Sequence, residues 1–90
     1  MGNKEMRFTK RAEEMLKEIN GSRKDVLQFF KDIEKKGISW EKENLIYDSK
    51  EFPLYKKRCK NIYVIFSKGD KGEVIVVDFL TESELLSWMK

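Results

Sequence analysis

The sequence predicts a single α+β domain, residues 1–90, in which a helical hairpin packs on a small antiparallel β-sheet. Three observations lead to this prediction. Apolar residues recur at helical spacing in the first half of the chain, and the second half carries β-branched and aromatic runs typical of strands. A chain of 90 residues also suffices for only one modest core. The predicted element order is β-α-α-β-β-β-α, with the helices on one face of the sheet.

The first half of the chain predicts a short strand followed by two amphipathic helices. Met6 and Phe8 alternate with polar neighbours, which allows a short first strand. Apolar residues then follow i, i+3, i+4, i+7 spacing in two segments, Ala12, Met15, Leu16 and Ile19, and then Val26, Phe29, Phe30 and Ile33. Each segment therefore presents one apolar stripe to the core.

Turn and cap residues delimit the two helices. Asn20-Gly21 ends the first helix, and Gly37 is the expected stop of the second. Ser22-x-x-Asp25 resembles a capping box with Asp in place of the usual Glu, so Ser22 is the expected cap of the second helix. Helices joined this closely are expected to form an antiparallel hairpin.

The second half of the chain predicts three strands and a final helix. The strands are residues 54–60, 62–67 and 73–80, and Pro53 precedes the first of them. The last strand is apolar on both faces, which indicates a central position in the sheet. Thr81-x-x-Glu84 is a complete capping box, and Leu85, Trp88 and Met89 form one face of the helix it starts. Residues 38–53 are less regular and predict no element.

The composition argues against several kinds of site. The chain has no histidine and one cysteine, which argues against a zinc site and excludes Ser-His and Cys-His triads. Any catalysis must use Lys, Arg, Tyr, Asp or Glu, and we expect no cofactor. No apolar run reaches the ~20 residues that a membrane helix needs, and the N-terminus lacks the apolar core of a secretory signal. The lone Cys59 cannot form an internal disulfide, so nothing indicates an oxidising compartment. The expected location is the cytoplasm.

Positive charge is densest in the strand LYKKRCK, residues 54–60. The net charge of +3 is too small to establish a nucleic-acid partner by itself. Strand alternation places Lys56, Arg58 and Lys60 on one face, about 7 Å apart, and that spacing suits an RNA phosphate backbone. A charge run is also commonly a solvated face, and that interpretation stays open.

The segments LYKKRC, KN and IYVIF resemble the RelE/ParE superfamily of bacterial and archaeal toxins. Members often carry Leu-Tyr-basic-x-Arg/Lys-apolar, a short turn, and then Tyr-Arg-apolar-apolar-Tyr/Phe; GEVIVVDF resembles their last strand. The resemblance covers roughly residues 6–85. It implies one of two activities, mRNA cleavage on the translating ribosome in the RelE branch or poisoning of DNA gyrase in the ParE branch. It also implies a cognate antitoxin partner, in a toxin–antitoxin hetero-oligomer.

The resemblance implies roles for individual residues. Lys56 and Arg58 match the basic pair that contacts RNA phosphates, helps activate the 2′-hydroxyl and stabilises the transition state, and Lys60 is a further RNA contact. Lys56 can act as a base only when neutral, which neighbouring cations favour, whereas Arg58 remains a charged clamp. Tyr63 stands where the family usually has arginine, and it is either a proton donor, a stacking platform or a sheet-packing aromatic.

Two other interpretations stay open at this point. The family often has another arginine near the end of the last strand and a C-terminal tyrosine or histidine, where this chain reads DFLTES and SELLSWMK. These differences favour a toxin-fold protein without nuclease activity, either a ParE-like gyrase inhibitor or a binding homologue. A small basic α+β domain unrelated to toxins is the third interpretation. Trp40 and Trp88 are most simply packing residues, and Cys59 a buried apolar one.

Overall fold

The structure, a computed structural model, describes residues 5–88 in five strands and three helices. Met89, predicted on one face of the final helix, lies outside the described residues. The elements are β1 Met6–Phe8, α1 Lys10–Glu18, α2 Arg23–Lys36, β2 Asn44–Tyr47, β3 Leu54–Cys59, β4 Ile62–Lys68, β5 Val74–Thr81 and α3 Glu82–Trp88. Within this part of the chain, no helix is long and apolar enough to cross a membrane.

The five strands form one sheet in the order β1-β5-β4-β3-β2. Strands β2 to β5 pair antiparallel, as predicted, and β1 pairs parallel with β5 through Met6 opposite Val74. Strand β5 therefore lies inside the sheet between β1 and β4, which confirms the central position predicted from its apolar residues. The α+β class and the helical hairpin on the sheet are likewise confirmed.

Strand β2 lies in the segment for which the sequence predicted no element. It has four residues, and its pairing with β3 is interrupted by a register shift between Leu45 and Tyr47. A strand this short with a bulge has no clear two-residue alternation, so its pattern is visible only once β3 is beside it. A 3₁₀ turn, Trp40–Lys42, precedes it.

The two faces of the sheet carry different cores. On the hairpin face, where α1 and α2 pack, the core includes Val26, Phe30, Val64, Phe66 and Val76. On the opposite face, here called the α3 face, a smaller cluster joins Leu54 and Ile65 to Leu85 of α3. The alternation of Val64, Ile65 and Phe66 along β4 divides these residues between the two faces.

An aromatic cluster secures the segment between α2 and β2. The Trp40 ring centroid lies 4.8 Å from that of Tyr55, and the Tyr55 ring stacks on Phe66 at 5.6 Å and 18°. The indole N–H of Trp40 donates to the Gly72 carbonyl at 3.1 Å. Trp40 is therefore a packing residue, as its simplest interpretation held.

Of the three predicted caps of α2 and α3, two form and one does not. Thr81 and Glu84 form the reciprocal capping box of α3. The backbone nitrogen of Thr81 lies 2.9 Å from the Glu84 carboxylate, and that of Glu84 lies 3.2 Å from the Thr81 hydroxyl oxygen. Gly37 ends α2 with a φ of 76°. Ser22 is the N-cap residue of α2, but its side chain makes no capping bond. Its ψ of −2° departs from the extended geometry that capping requires, and the buried hydroxyl accepts the Asn61 N–H instead.

Candidate nucleic-acid interface

The α3 face of the sheet brings together three of the four predicted site residues. Strand β3 pairs with β4 so that Arg58 lies opposite Tyr63 and Lys56 lies opposite Ile65. Tyr63 and Ile65 belong to the α3-face cluster, so Lys56 and Arg58 lie on that same face. The shared face predicted for Lys56 and Arg58 is confirmed. The register between β3 and β4 places Tyr63 beside them on that face.

The two cations converge on the ring of Tyr63. The Nζ atom of Lys56 lies 5.3 Å from the ring centroid, and the Cζ atom of Arg58 lies 6.0 Å from it. Both distances are within the range of a cation–π interaction. Arg58 is also held from another side, because its Nε–H donates to the Lys60 carbonyl at 3.2 Å. Arg58 is exposed, and Lys56 and Tyr63 are partly buried.

Lys60 departs from the predicted arrangement. Strand β3 ends at Cys59, which pairs with Ile62, so Lys60 and Asn61 form a two-residue turn. Lys60 has a φ of 62°, and its Nζ donates to the Gly21 carbonyl between α1 and α2, at 3.4 Å. The expectation that Lys60 shares a face with Lys56 and Arg58 is wrong, because strand alternation stops where the chain reverses. Its role as an RNA contact stays a prediction.

The opposite side of β3 lines a groove of about 460 Å³ between α2 and β3. There Lys57 Nζ lies 5.7 Å from the Phe29 ring centroid. Cys59 is 4% exposed, and burial raises the pKa of its thiol to about 11. Burial also raises the pKa of Glu43, while the nearby Lys57 lowers it. The buried apolar interpretation of Cys59 is confirmed, and Lys57 lies on the opposite face from the Lys56–Arg58 pair.

Asp78 is the one charged residue of strand β5, VIVVDFLT. Its partner is Arg11 of α1, whose Nε lies 2.9 Å from the Asp78 carboxylate. The Asp78 hydrogen bond and charge raise the pKa of Arg11. Among residues 5–88, no three His, Cys, Asp or Glu side chains gather as a metal site. The chemistry available at the Lys56–Arg58–Tyr63 site is therefore cationic, with one phenolic hydroxyl.

The segment where the resemblance would place another arginine has a structural role instead. DFLTES completes β5 and begins α3, and its Thr81 and Glu84 form the capping box. The hydrogen bond from the Thr81 backbone lowers the pKa of Glu84. Trp88, near the expected C-terminal tyrosine or histidine, is 50% exposed at the end of α3. The described segment 78–83 therefore adds no cation to the site.

The fold just described is similar to that of two solved RelE structures. The chain resembles the archaeal RelE–RelB complex structure from Pyrococcus horikoshii OT3, with a TM-score of 0.67 and 18% identity, over 90% of this chain and 96% of that one. It also resembles the isolated RelE toxin of E. coli, with a TM-score of 0.64 and 16% identity, over 93% and 92% of the two chains. No protein-family model and no curated protein sequence matches the chain. The chain thus has the RelE toxin fold, and the predicted fold is confirmed.

Proposed function

We propose that this protein is a RelE-like toxin that cleaves mRNA on the translating ribosome, in the cytoplasm. The observation that carries the proposal is the convergence of Lys56 and Arg58 on Tyr63, on one face of a RelE-type sheet. Two adjacent cations on a strand suit the phosphodiester backbone of RNA, whose negative charge dominates its affinity for proteins. The likeness of the fold to two RelE structures supports the proposal.

The proposed reaction needs no metal and no histidine. The 2′-hydroxyl of RNA loses its proton and attacks the adjacent phosphorus, and the bond from phosphorus to the 5′-oxygen breaks. Arg58 stabilises the negative charge that develops on the phosphoryl oxygens. Lys56 is the predicted base that accepts the 2′-hydroxyl proton. The Tyr63 hydroxyl is the predicted donor of a proton to the departing 5′-oxygen.

The experiment that tests this proposal is induction of the protein in cells, followed by mapping of mRNA 5′ ends. New 5′ ends within coding regions and arrested growth are expected for the wild type. Lys56→Ala and Arg58→Ala should each reduce cleavage on the order of 10²-fold. Lys57→Ala is the matched control, since it removes one charge from the same strand on the opposite face. Intact transcripts and normal growth at confirmed expression would overturn the proposal.

A ParE-like gyrase inhibitor or a binding homologue without nuclease activity is the second candidate. Tyr63 favours it, because it replaces a cation that the resemblance leads one to expect at this position. A DNA cleavage assay with purified gyrase distinguishes the candidates. Trapped DNA cleavage complexes together with intact mRNA would select the gyrase inhibitor, whereas mRNA cleavage that depends on Arg58 would exclude it.

We also propose that the chain forms a hetero-oligomer with a cognate antitoxin. The support is that a solved neighbour of this fold is a RelE–RelB complex. Co-expression with the protein encoded beside this gene, followed by affinity purification, tests the assembly. Growth restored by that neighbour, together with its co-purification, is the expected result. Purification of the chain alone, with growth still arrested, would count against this partner.

A further inference from the structure

One aromatic ring contacts both cations of the site. Lys56 Nζ and Arg58 Cζ both lie within 6.0 Å of the centre of the Tyr63 ring. The other cation–ring pairs of the described residues, Lys57 with Phe29 and Lys68 with Trp40, each join a single cation to a ring. Tyr63 therefore holds an arrangement that the rest of the described chain does not repeat.

The ring is itself held in place by the sheet. Tyr63 lies on β4, between Arg58 of β3 and Leu80 of β5, and it packs with the α3-face cluster. Lys56 and Arg58 have long side chains whose like charges repel one another. The negative face of an aromatic ring attracts both, so a fixed ring offsets that repulsion and restricts where the cations lie.

We propose that Tyr63 is a positioning residue whose ring holds Lys56 and Arg58 together so that both engage one RNA phosphodiester. The inference rests on the proposed RNA function. In it the ring of Tyr63, and not its hydroxyl, positions the two cations. The Arg58 Nε–H bond to the Lys60 carbonyl fixes the guanidinium from the side of the turn. The two cations are then arranged before RNA arrives, which lowers the entropy cost of binding.

Binding of a labelled single-stranded RNA, measured over a series of salt concentrations, tests the positioning. Tyr63→Phe keeps the ring and should bind as the wild type does. Tyr63→Leu and the β-branched Tyr63→Val remove the ring and should weaken binding roughly tenfold. The slope of the logarithm of the binding constant against the logarithm of the salt concentration should also become shallower in these variants. The slope should change by about 0.7 if one phosphate contact is lost. In a Lys56→Ala/Arg58→Ala background, Tyr63→Leu should have no further effect, because the ring acts through those two cations.

An abasic oligonucleotide of the same length separates positioning from base stacking. If the ring positions the cations, loss of the ring weakens binding of the abasic and the base-containing strand equally. Weakened binding of only the base-containing strand would make Tyr63 a stacking platform and overturn the proposal. Equal losses for Tyr63→Phe and Tyr63→Leu would overturn it as well, since the hydroxyl would then be the group required.

NMR of the protein without RNA keeps this inference distinct from the proposed function. The side-chain methylene protons of Lys56 and Arg58 nearest their charged groups should be shifted upfield by the ring in the wild type and in Tyr63→Phe. They should lose that shift in Tyr63→Leu, while Lys57 beside Phe29 stays unchanged as the internal control. Absence of the upfield shift in the wild type would overturn the proposed positioning, whether or not the protein binds RNA. Shifted protons without RNA binding would overturn the part of the inference in which the two cations engage RNA, whereas the mapping of mRNA 5′ ends in cells tests the proposed function.

Discussion

The hydroxyl oxygen of Ser22 accepts a hydrogen bond from the backbone N–H of Asn61 at a distance of 3.1 Å. This bond joins the start of α2 to the β3–β4 turn, 39 residues further along the chain. Ser22 is 2% exposed. The bond therefore ties the helical hairpin to the turn that follows Lys56 and Arg58.

Ser22→Ala should lower the free energy of unfolding by about 1–3 kcal/mol. The reason is that the Asn61 N–H would lose its acceptor in a partly buried position. Chemical denaturation monitored by circular dichroism measures the change. Ser39→Ala is the control, because Ser39 is exposed and its side chain caps nothing; its effect should stay within about 0.5 kcal/mol. Equal effects of the two variants would contradict this role of Ser22.

Lys60→Gly should stabilise the protein by up to about 1 kcal/mol. Lys60 has a φ of 62°, in the left-handed region that glycine adopts at little cost. The midpoint of thermal unfolding measures the gain. Lys60→Ala separates the backbone from the side chain, since it also removes the amine that reaches Gly21 but keeps the Cβ. A lower midpoint for Lys60→Gly than for Lys60→Ala would show that backbone strain is not the deciding effect.

Glu73→Gln should reduce the dependence of stability on acidic pH. The backbone N–H of Glu73 itself, and then that of Lys71, lower the pKa of this buried carboxylate. Since the unfolded chain has the higher pKa, near 4.3, it binds more protons and acid favours unfolding. The carboxylate thus contributes stability above that value and loses it as pH falls through the lower folded pKa. Urea unfolding measures the free energy of unfolding of both proteins between pH 6 and pH 3. The two values should converge as pH falls, and a difference that stays constant with pH would contradict the prediction.

Cys59 should resist thiol reagents at pH 8 for as long as the protein is folded. Burial raises the pKa of the thiol to about 11, so the reactive thiolate is scarce. The shift alone predicts labelling roughly 10²-fold slower than for an ordinary thiol. Iodoacetamide labelling followed by mass spectrometry measures the rate, and prompt reaction in native buffer would refute the prediction. In a Ser39→Cys variant, the added exposed thiol should react at the ordinary rate and serve as the positive control.

Local patterns determined most of the secondary structure. The apolar spacing of Val26, Phe30 and Ile33 defines a helical face whatever surrounds it, and these three residues are buried in α2. Thr81 and Glu84 are three residues apart, so their capping box forms within one helical turn. The shared face of Lys56 and Arg58 follows from strand alternation alone. These features need only neighbours within a few residues, which the sequence supplies directly.

The tertiary structure decided what depends on distant partners. Ser22 has the sequence context of a helix cap, yet its hydroxyl accepts a hydrogen bond from the Asn61 N–H. The reason is that Ser22 packs against the β3–β4 turn, where this donor lies. Strand β2 and the parallel pairing of β1 arise from strands elsewhere in the chain. Lys60 leaves the basic face because the chain reverses there, and Tyr63 meets both cations because that two-residue turn sets the register of β3 against β4. Alternation places side chains on a face, but only pairing between strands brings a ring and two charges within contact distance.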